Sequence, residues 1–223
     1  MITILAISTA YLWGAIPSAY LAGHYLKGVD IRTYGSGNVG AANVREHIGT
    51  RQAIWIAAFD VFGKGTLPIL STKLLNQDLM LQIIVGAAVI AGHNWSPYIR
   101  FTGGRGISVF TGLLIGLSMW PELLTAIVLF GGIGRFIYKE TGFWSIVSMI
   151  MIPLWVYFYD RPQELIYGTI WFASLMILKR LTANWERPKK DYGLVRVLGY
   201  RLIWDRDVPH RSQWTARRPP ERG

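Results

Sequence analysis

Two glycine-rich stretches of the chain have the composition of phosphate-binding loops. The first, residues 35–44, reads GSGNVGAANV, and its glycines let backbone N–H groups turn toward an anion. The second, residues 103–106, reads GGRG and precedes a predicted helix, whose N-terminus offers unpaired N–H groups and a positive dipole end. Arg105 can hold two phosphate oxygens at once. Either stretch could also be an ordinary turn, and Arg105 an interfacial anchor.

Other polar residues lie at or within the neighbouring apolar runs. His93, in GHNWSP, could act as a base or as an ordinary hydrogen-bonding residue at a helix end. Lys179 and Arg180 end the last apolar run, where membrane topology and the helix dipole by themselves favour cations. Asp60 and Lys64 are four residues apart inside another run, which predicts an intrahelical ion pair facing the bundle.

The elements that must position these residues are apolar helices. Of the 223 residues, 52% are hydrophobic and 16% charged, well below the roughly 25% charge of a soluble domain. Runs of about 20 apolar residues can cross a bilayer. Pro121 and Glu122 favour a new helix after a capping Ser118, so residues 106–138 are predicted to form two spans. The seven predicted spans are residues 2–26, 52–73, 79–96, 106–119, 121–138, 143–159 and 163–178.

Charge determines the predicted orientation of these spans. With the N-terminus outside, 20 of the 23 Lys and Arg residues lie in inside segments, as the positive-inside rule requires. Residues 1–180 are then a seven-helix membrane domain and residues 181–223 a basic cytoplasmic tail. Both glycine-rich loops and the end of the last span face the cytoplasm in this topology. One site could therefore draw on all three polar clusters.

Composition disfavours several other classes of function. The chain has no cysteine, which excludes disulfides, thiol nucleophiles and cysteine-ligated metals. Its four histidines form no pair at helical spacing, so neither a metal nor a cofactor is predicted. The basic tail could attract anionic lipid. The sequence has no stretch in which aromatic and basic residues alternate, so nucleic-acid binding is not predicted.

Read in order, GSGNVGAANV, GHNWSPYIRFTGGRG and LKRLTANWERP resemble the three motifs of the bacterial membrane glycerol-3-phosphate acyltransferases that use acyl phosphate. The resemblance covers roughly residues 5 to 190. It implies an all-α, polytopic protein of the bacterial cytoplasmic (inner) membrane, with seven spans and a cytoplasmic active site. The implied reaction transfers an acyl group from acyl phosphate to glycerol 3-phosphate and gives lysophosphatidic acid for phospholipid synthesis.

The resemblance also implies roles for individual residues. Both substrates carry phosphate and acyl phosphate is already activated, so orientation and charge stabilisation can supply much of the catalysis without a nucleophilic residue. The expected catalytic residues are Ser36, Arg45, His93 and Arg105. The expected substrate-binding residues are Gly35, Gly37, Asn38, Gly40, Asn43, Gly103, Gly104, Gly106, Lys179 and Arg180.

The chain departs from the family pattern at several positions. In the first motif, a threonine falls on Ala42 and an arginine on Glu46, one position after Arg45. The histidine and asparagine of the third motif fall on Ser174 and Ile177, which are expected to share a helix face near Lys179 and Arg180. Two lysines of the second motif and a serine after span five fall on Thr102, Arg105 and Gly142.

Two further functions stay open beside acyl transfer. The chain could be a family member that has lost turnover and binds phospholipid or lysophospholipid. It could also transport a phosphate ester, although spans one, four, six and seven offer almost no intramembrane charge for a polar path. The predicted partners are acyl phosphate, glycerol 3-phosphate and membrane lipid, with no nucleic acid.

Overall fold

The protein is folded from helices throughout the part of the chain that the computed structural model describes, residues 2–185 and 193–215. Within these ranges the only extended pairing is an isolated backbone bridge between Ser96 and Thr102. The all-α prediction is therefore confirmed. The described helices are α1 (Ile2–Gly14), α2 (Ser18–Lys27), α3 (Ala41–His47), α4 (Thr50–Ala58), α5 (Leu67–Leu74), α6 (Leu79–Asn94), α7 (Ile107–Gly116), α8 (Trp120–Ala126), α9 (Thr141–Phe158), α10 (Gln163–Thr182), α11 (Leu194–Trp204) and α12 (Arg211–Thr215).

Seven apolar helical segments coincide in sequence with the seven predicted spans. Four of them are long and apolar enough to cross a membrane, namely Thr3–Lys27, Thr50–Leu74, Thr141–Phe158 and Gln163–Thr182. Three are shorter, namely Leu79–Asn94, Ile107–Gly116 and Trp120–Gly134. The number of crossings and the orientation of the termini stay predictions.

The chain breaks between α7 and α8, where the sequence predicts a new helix. Ser118 has a φ of +60°, and α8 begins with Pro121 in its first turn. Ser118 does not cap α8, which corrects that detail of the prediction, because its hydroxyl accepts a hydrogen bond from Lys73 at 3.1 Å. Glu122 in the first turn is fully buried and pairs with Arg161 at 3.2 Å.

A π-helical segment, Phe59–Thr66, joins α4 to α5 in one continuous helix. It carries Asp60 and Lys64, whose charged groups are 2.7 Å apart with at most 2% of either side chain exposed. The predicted ion pair is therefore confirmed. π-helical turns are frequent at functional sites.

α6 lies at the centre of the bundle, between α1 and α10. Its backbone approaches α1 closely, because a Cβ on Gly92 would lie 2.0 Å from the Tyr11 carbonyl oxygen and one on Gly14 would lie 2.3 Å from that of Val89. Small residues at such contacts are typical of helix packing in membranes. This packing fixes the end of α6, which carries His93.

Candidate active site

Segments from all three motif stretches meet at Gly103. The Asn184 side chain accepts a hydrogen bond from the Gly103 N–H at 2.9 Å and donates to the carbonyls of Gly37 and Gly103 at 3.1 and 3.2 Å. The Val39 N–H also donates to the Gly103 carbonyl, at 3.3 Å. The predicted convergence of the three clusters on one site is therefore present in the fold.

The first loop is held in shape from within. The Asn43 side-chain amide is buried and donates to the carbonyls of Ile31, Tyr34 and Asn38 at 3.0 to 3.1 Å. Gly35 and Gly37 adopt φ values of +50° and +66°, which only glycine adopts at little cost. Asn43, expected to bind substrate, is thus occupied in shaping the loop.

The second loop depends on its glycines for close approach. The Gly103 and Gly104 N–H groups donate to Asn184 and to the His93 carbonyl, so these two amides do not form the anion-binding nest that the sequence indicated. A Cβ on Gly103 would lie 2.2 Å from the His93 carbonyl oxygen, and one on Gly104 would lie 2.1 Å from His93 Nε2. Glycine at both positions lets this loop pack directly against the end of α6.

A small polar cleft lies where the π-helical segment, the end of α6 and the second loop meet. We call it the glycine cleft; its volume is about 10 Å³, room for about one water molecule. Inside it, Lys64 Nζ is 3.4 Å from His93 Nδ1 and 3.3 Å from the Ser18 hydroxyl, which itself donates to Asp60 at 3.0 Å. Its lining residues are Ala15, Ile16, Pro17, Ser18, Val39, Lys64, His93, Ser96, Ile99, Gly103 and Gly104.

The contact with Lys64 determines which His93 nitrogen can face a substrate as a donor. An ammonium has no acceptor, so Lys64 donates and His93 Nδ1 accepts. In the neutral imidazole, the proton then sits on Nε2, the atom beside Gly104. In this tautomer His93 presents an N–H donor to the glycine cleft, whereas a base at Nε2 would require the other tautomer.

Three buried cations lie next to the cleft, on the side of the last span. This cation cluster consists of Arg105, Lys179 and Arg180, with exposed fractions of 5%, 0% and 0%. Lys179 donates to the Asn94 carbonyl and lies over the Trp95 ring, and Arg105 donates to the Lys179 carbonyl at 3.0 Å. Among the described residues, one carboxylate, that of Asp205, lies against this cluster, where it contacts Arg105. Basic groups therefore outnumber acidic groups here, and the cluster would attract an anion.

Arg180 connects the cluster to neighbouring helices. It donates to the carbonyls of Gly142 and Leu202 at 3.0 and 2.9 Å and to the Ser145 hydroxyl. These bonds give Arg180 a structural role between α9, α10 and α11. Gly142, where the family pattern has a serine, meets α11 so closely that a Cβ there would lie 2.3 Å from the Trp204 carbonyl oxygen.

An apolar cavity lies beside the cation cluster, between α7, α8, α9 and α10. Its volume is about 150 Å³, smaller than the roughly 300–1,000 Å³ typical of ligand pockets, and almost all of its lining is apolar. Ser145, which contacts Arg180, lines this cavity, as does Ile107, the first residue of α7 after Gly106. The cavity therefore leads from the cluster into the apolar interior.

Some predicted site residues lie apart from the glycine cleft. Arg45 pairs with Glu46 at 3.1 Å on α3, and the Ser36 hydroxyl accepts from the Asn38 N–H at 3.3 Å; neither lines the cleft.

Ser174 is exposed, and its hydroxyl donates to the Ile170 carbonyl, whereas Lys179 and Arg180 are buried on a different face of α10. Ile177 packs against the hydrophobic core. The prediction that Ser174 and Ile177 form a helix face beside Lys179 and Arg180 is therefore wrong.

Sequence reasoning missed three residues that contact the site. Asn184 lies in LKRLTANWERP, six residues after the end of the last predicted span, and a lone asparagine there could have been read as a loop donor. Lys64 was recognised only as half of an ion pair. Asp205 lies in the tail, and nothing in the sequence indicated that it pairs with Arg105 at 2.8 Å.

A second ion pair anchors the segment before the first loop to the segment before the second loop. The Asp30 carboxylate accepts three bonds from the Arg32 guanidinium and one from its N–H, and Arg32 also donates to the Ile99 carbonyl at 3.2 Å. Burial raises the pKa of Asp30, but the hydrogen bonds and charge of Arg32 outweigh it and hold the pKa below its ordinary value. This carboxylate therefore stays ionised at neutral pH, and the anchor persists.

Comparison with known proteins identifies relatives of this chain. A family model described as glycerol-3-phosphate acyltransferase matches residues 4–190. A relative from Dehalococcoides mccartyi (strain CBDB1), named glycerol-3-phosphate acyltransferase 4, is 34% identical over 222 residues, 96% of this chain and 93% of the relative. Among solved structures, PlsY (YgiH), an integral membrane glycerol 3-phosphate acyltransferase, is 28% identical in its glycerol 3-phosphate form, with a TM-score of 0.72 over 81% of this chain and 88% of that chain. Its lysophosphatidic acid form is 27% identical, with a TM-score of 0.70 over 89% of this chain and 100% of that chain.

Proposed function

Since the chain belongs to the glycerol-3-phosphate acyltransferase family, we propose that it transfers an acyl group from acyl phosphate to glycerol 3-phosphate and releases lysophosphatidic acid and phosphate. It is a multi-pass membrane protein. We place it in the bacterial cytoplasmic membrane with the site facing the cytoplasm, where most of its Lys and Arg residues are expected.

One observation carries this function, namely the junction between buried cations and an apolar cavity. The Arg180 guanidinium contacts Ser145, which lines the cavity, and Arg105 lies in the same cluster. Acyl phosphate and lysophosphatidic acid each combine a phosphate with a fatty chain. Such a molecule fits with its chain among the apolar helices and its phosphate at the cations.

The acceptor would bind at the mouth of the glycine cleft, with its hydroxyl directed into the cleft and beside the head group of the donor. Lys64 supplies positive charge there, and the first loop closes the cleft through Val39. His93 Nε2–H lies beside Gly104, in reach of a carbonyl oxygen that becomes negative during the reaction. A hydrogen bond that strengthens as this charge develops lowers the barrier.

The transfer needs no covalent intermediate with the protein. The acceptor hydroxyl oxygen bonds to the carbonyl carbon of the donor, the bond between that carbon and the phosphate oxygen breaks, and the hydroxyl proton passes to a phosphate oxygen. The serines that line the cleft are bound elsewhere, because Ser96 donates to the Ala15 carbonyl at 2.6 Å and Ser18 donates to Asp60. The protein contributes orientation and charge stabilisation.

An assay of the purified protein with alternative donors tests the proposal. With glycerol 3-phosphate as acceptor, palmitoyl phosphate should give lysophosphatidic acid and an equal amount of phosphate, and palmitoyl coenzyme A should give neither. Equal rates with both donors would contradict the assignment of the donor. Binding of lysophosphatidic acid without turnover of either donor would instead identify a member that only binds lipid.

A further inference from the structure

The described part of the tail, residues 193–215, folds back over the cation cluster. α11 lies against α9 and α10, where Arg180 donates to the Leu202 carbonyl and Arg201 donates to the Leu181 carbonyl, both at 2.9 Å. Arg206 pairs with Glu140 at 2.9 Å at the start of α9. These contacts lie next to Arg105, so the tail covers the residue expected to bind phosphate.

The tail also places a carboxylate directly on Arg105. Asp205 ends α11 with a φ of +54°, and its Oδ1 atom lies 2.8 Å from Arg105 Nε. About a fifth of the Asp205 side chain is exposed (21%), compared with 5% for Arg105. Asp205 is therefore the more exposed member of the pair, and it occupies a position beside the guanidinium where a phosphate would bind.

The geometry of this pair is poor for a structural ion pair. Arg105 Nε and Asp205 Oδ1 are close, but the N–H is misdirected, and both atoms are buried with no hydrogen-bond partner among the described residues. The neighbouring pair of Arg201 with Asp207 has two aligned hydrogen bonds of 2.7 Å. Because neither atom has a hydrogen bond, a bound phosphate could satisfy the Arg105 N–H better than Asp205 does.

We propose that Asp205 is a further residue of the phosphate site, an internal counter-ion of Arg105 that a bound phosphate replaces, so that Asp205 sets the affinity for a phosphate-bearing substrate. Without substrate, the carboxylate partly compensates the buried charge of Arg105, which would otherwise be costly. When substrate binds, its phosphate pairs with the Arg105 guanidinium and displaces Asp205, because a phosphate and a carboxylate on the same guanidinium would repel each other. The inference rests on the proposed function, because it assigns phosphate to Arg105.

Asp205 lies outside the residues that the family model matches. The model matches residues 4–190 and so ends before Asp205, whereas the alignment with the Dehalococcoides relative covers 96% of this chain. A carboxylate supplied from outside the common region can change substrate affinity without altering the catalytic loops.

Kinetics of Asp205→Asn test the proposal, with Asp207→Asn as the matched control. Asp205→Asn should lower the KM of one phosphate substrate about tenfold, equivalent to ~1.4 kcal/mol, and leave kcat within about twofold. Varying glycerol 3-phosphate and palmitoyl phosphate in turn shows which phosphate Arg105 binds. Asp207→Asn should lower stability and leave both KM values unchanged, while Asp205→Glu should restore the parent KM. An unchanged or higher KM in folded Asp205→Asn would overturn the proposal.

A binding measurement separates this inference from the proposed function. The glycerol 3-phosphate or inorganic phosphate concentration that gives half-maximal thermal stabilisation should fall about tenfold in Asp205→Asn, whether or not the protein turns over. If that variant does not fold, Asp205→Ser is measured with the same expectation. Equal midpoints for variant and parent would refute the role of Asp205, even if acyl transfer is observed.

Discussion

Arg105 is the residue on which phosphate recognition in the proposed site depends most. It is the member of the cation cluster that belongs to the second glycine-rich loop, and its guanidinium makes one described hydrogen bond, to the Lys179 carbonyl. Lys179 and Arg180 are instead committed to carbonyl groups of the protein. Lys179 and Arg180 therefore hold segments of the protein together, and Arg105 is the member of the cluster that we propose binds phosphate.

Replacing Arg105 should separate the effect of charge from that of geometry. Arg105→Ala should raise the KM of the phosphate substrate it binds about 10- to 100-fold, because a charge-assisted hydrogen bond contributes about 1.5–3 kcal/mol. Arg105→Lys keeps the charge and should raise it less. Initial-rate kinetics provide the measurement, with exposed Arg51→Ala as the control. Unchanged KM values in both variants would show that Arg105 is a topological anchor.

His93 offers a test of the donor role against the base role. His93→Ala should lower kcat about 10²- to 10³-fold, as expected for loss of a donor to a developing negative oxygen. His93→Gln can place an N–H near the former Nε2 position and should recover part of the loss, although it has no basic nitrogen. Rates as low in His93→Gln as in His93→Ala would favour a base.

At the scale of elements, glycine contacts bring the three loops close enough to form one site. Gly103 and Gly104 pack on the end of α6, and Gly112 in α7 would place a Cβ 2.0 Å from the Val61 carbonyl oxygen. The sequence indicated these loops correctly, because glycine-rich composition and apolar runs are local signals. It misassigned the third motif, because which face of α10 meets the loops depends on packing with α6 and α9.

Gly104→Ala should disable the site while leaving the bundle folded. Its Cβ would lie 2.1 Å from His93 Nε2, so the imidazole must leave its position beside Lys64. We expect at least a tenfold loss of kcat, measured on detergent-purified protein of unchanged helix content. Gly199→Ala is the control, because nothing lies within 4 Å of a Cβ there and activity should be unaffected. Full activity of Gly104→Ala would contradict the geometry of the cleft.

At the scale of the whole molecule, contacts at each end of the bundle join segments that the predicted topology places on the same side, while the side that each end faces stays a prediction. Lys73 with Ser118 and Glu122 with Arg161 connect turns predicted to lie outside. Asn184 with Gly103 and Glu140 with Arg206 connect segments predicted to lie inside. The distribution of basic residues is the sequence signal from which the sides are predicted. The position of the tail over Arg105 could not be predicted, because long-range ion pairs leave no local pattern.

Single cysteines can test the orientation, because the chain has none of its own. Cysteines in place of Asn76 and Asp160 should react with a membrane-impermeant maleimide in intact cells. Those in place of Ala42 and Val195 should react only after the membrane is permeabilised, because they are expected to face the cytoplasm. The reverse pattern would invert the topology, and a mixed pattern would change the number of spans.

The central claim is direct transfer between two bound phosphate compounds, and the most direct measurement is phosphate release in a single turnover. Purified protein in excess over palmitoyl phosphate should release no phosphate above the uncatalysed rate until glycerol 3-phosphate is added. Phosphate and lysophosphatidic acid should then appear together in equal amounts. A burst of phosphate without glycerol 3-phosphate, with the palmitoyl group retained on the protein by mass spectrometry, would contradict direct transfer and indicate an acyl-enzyme intermediate.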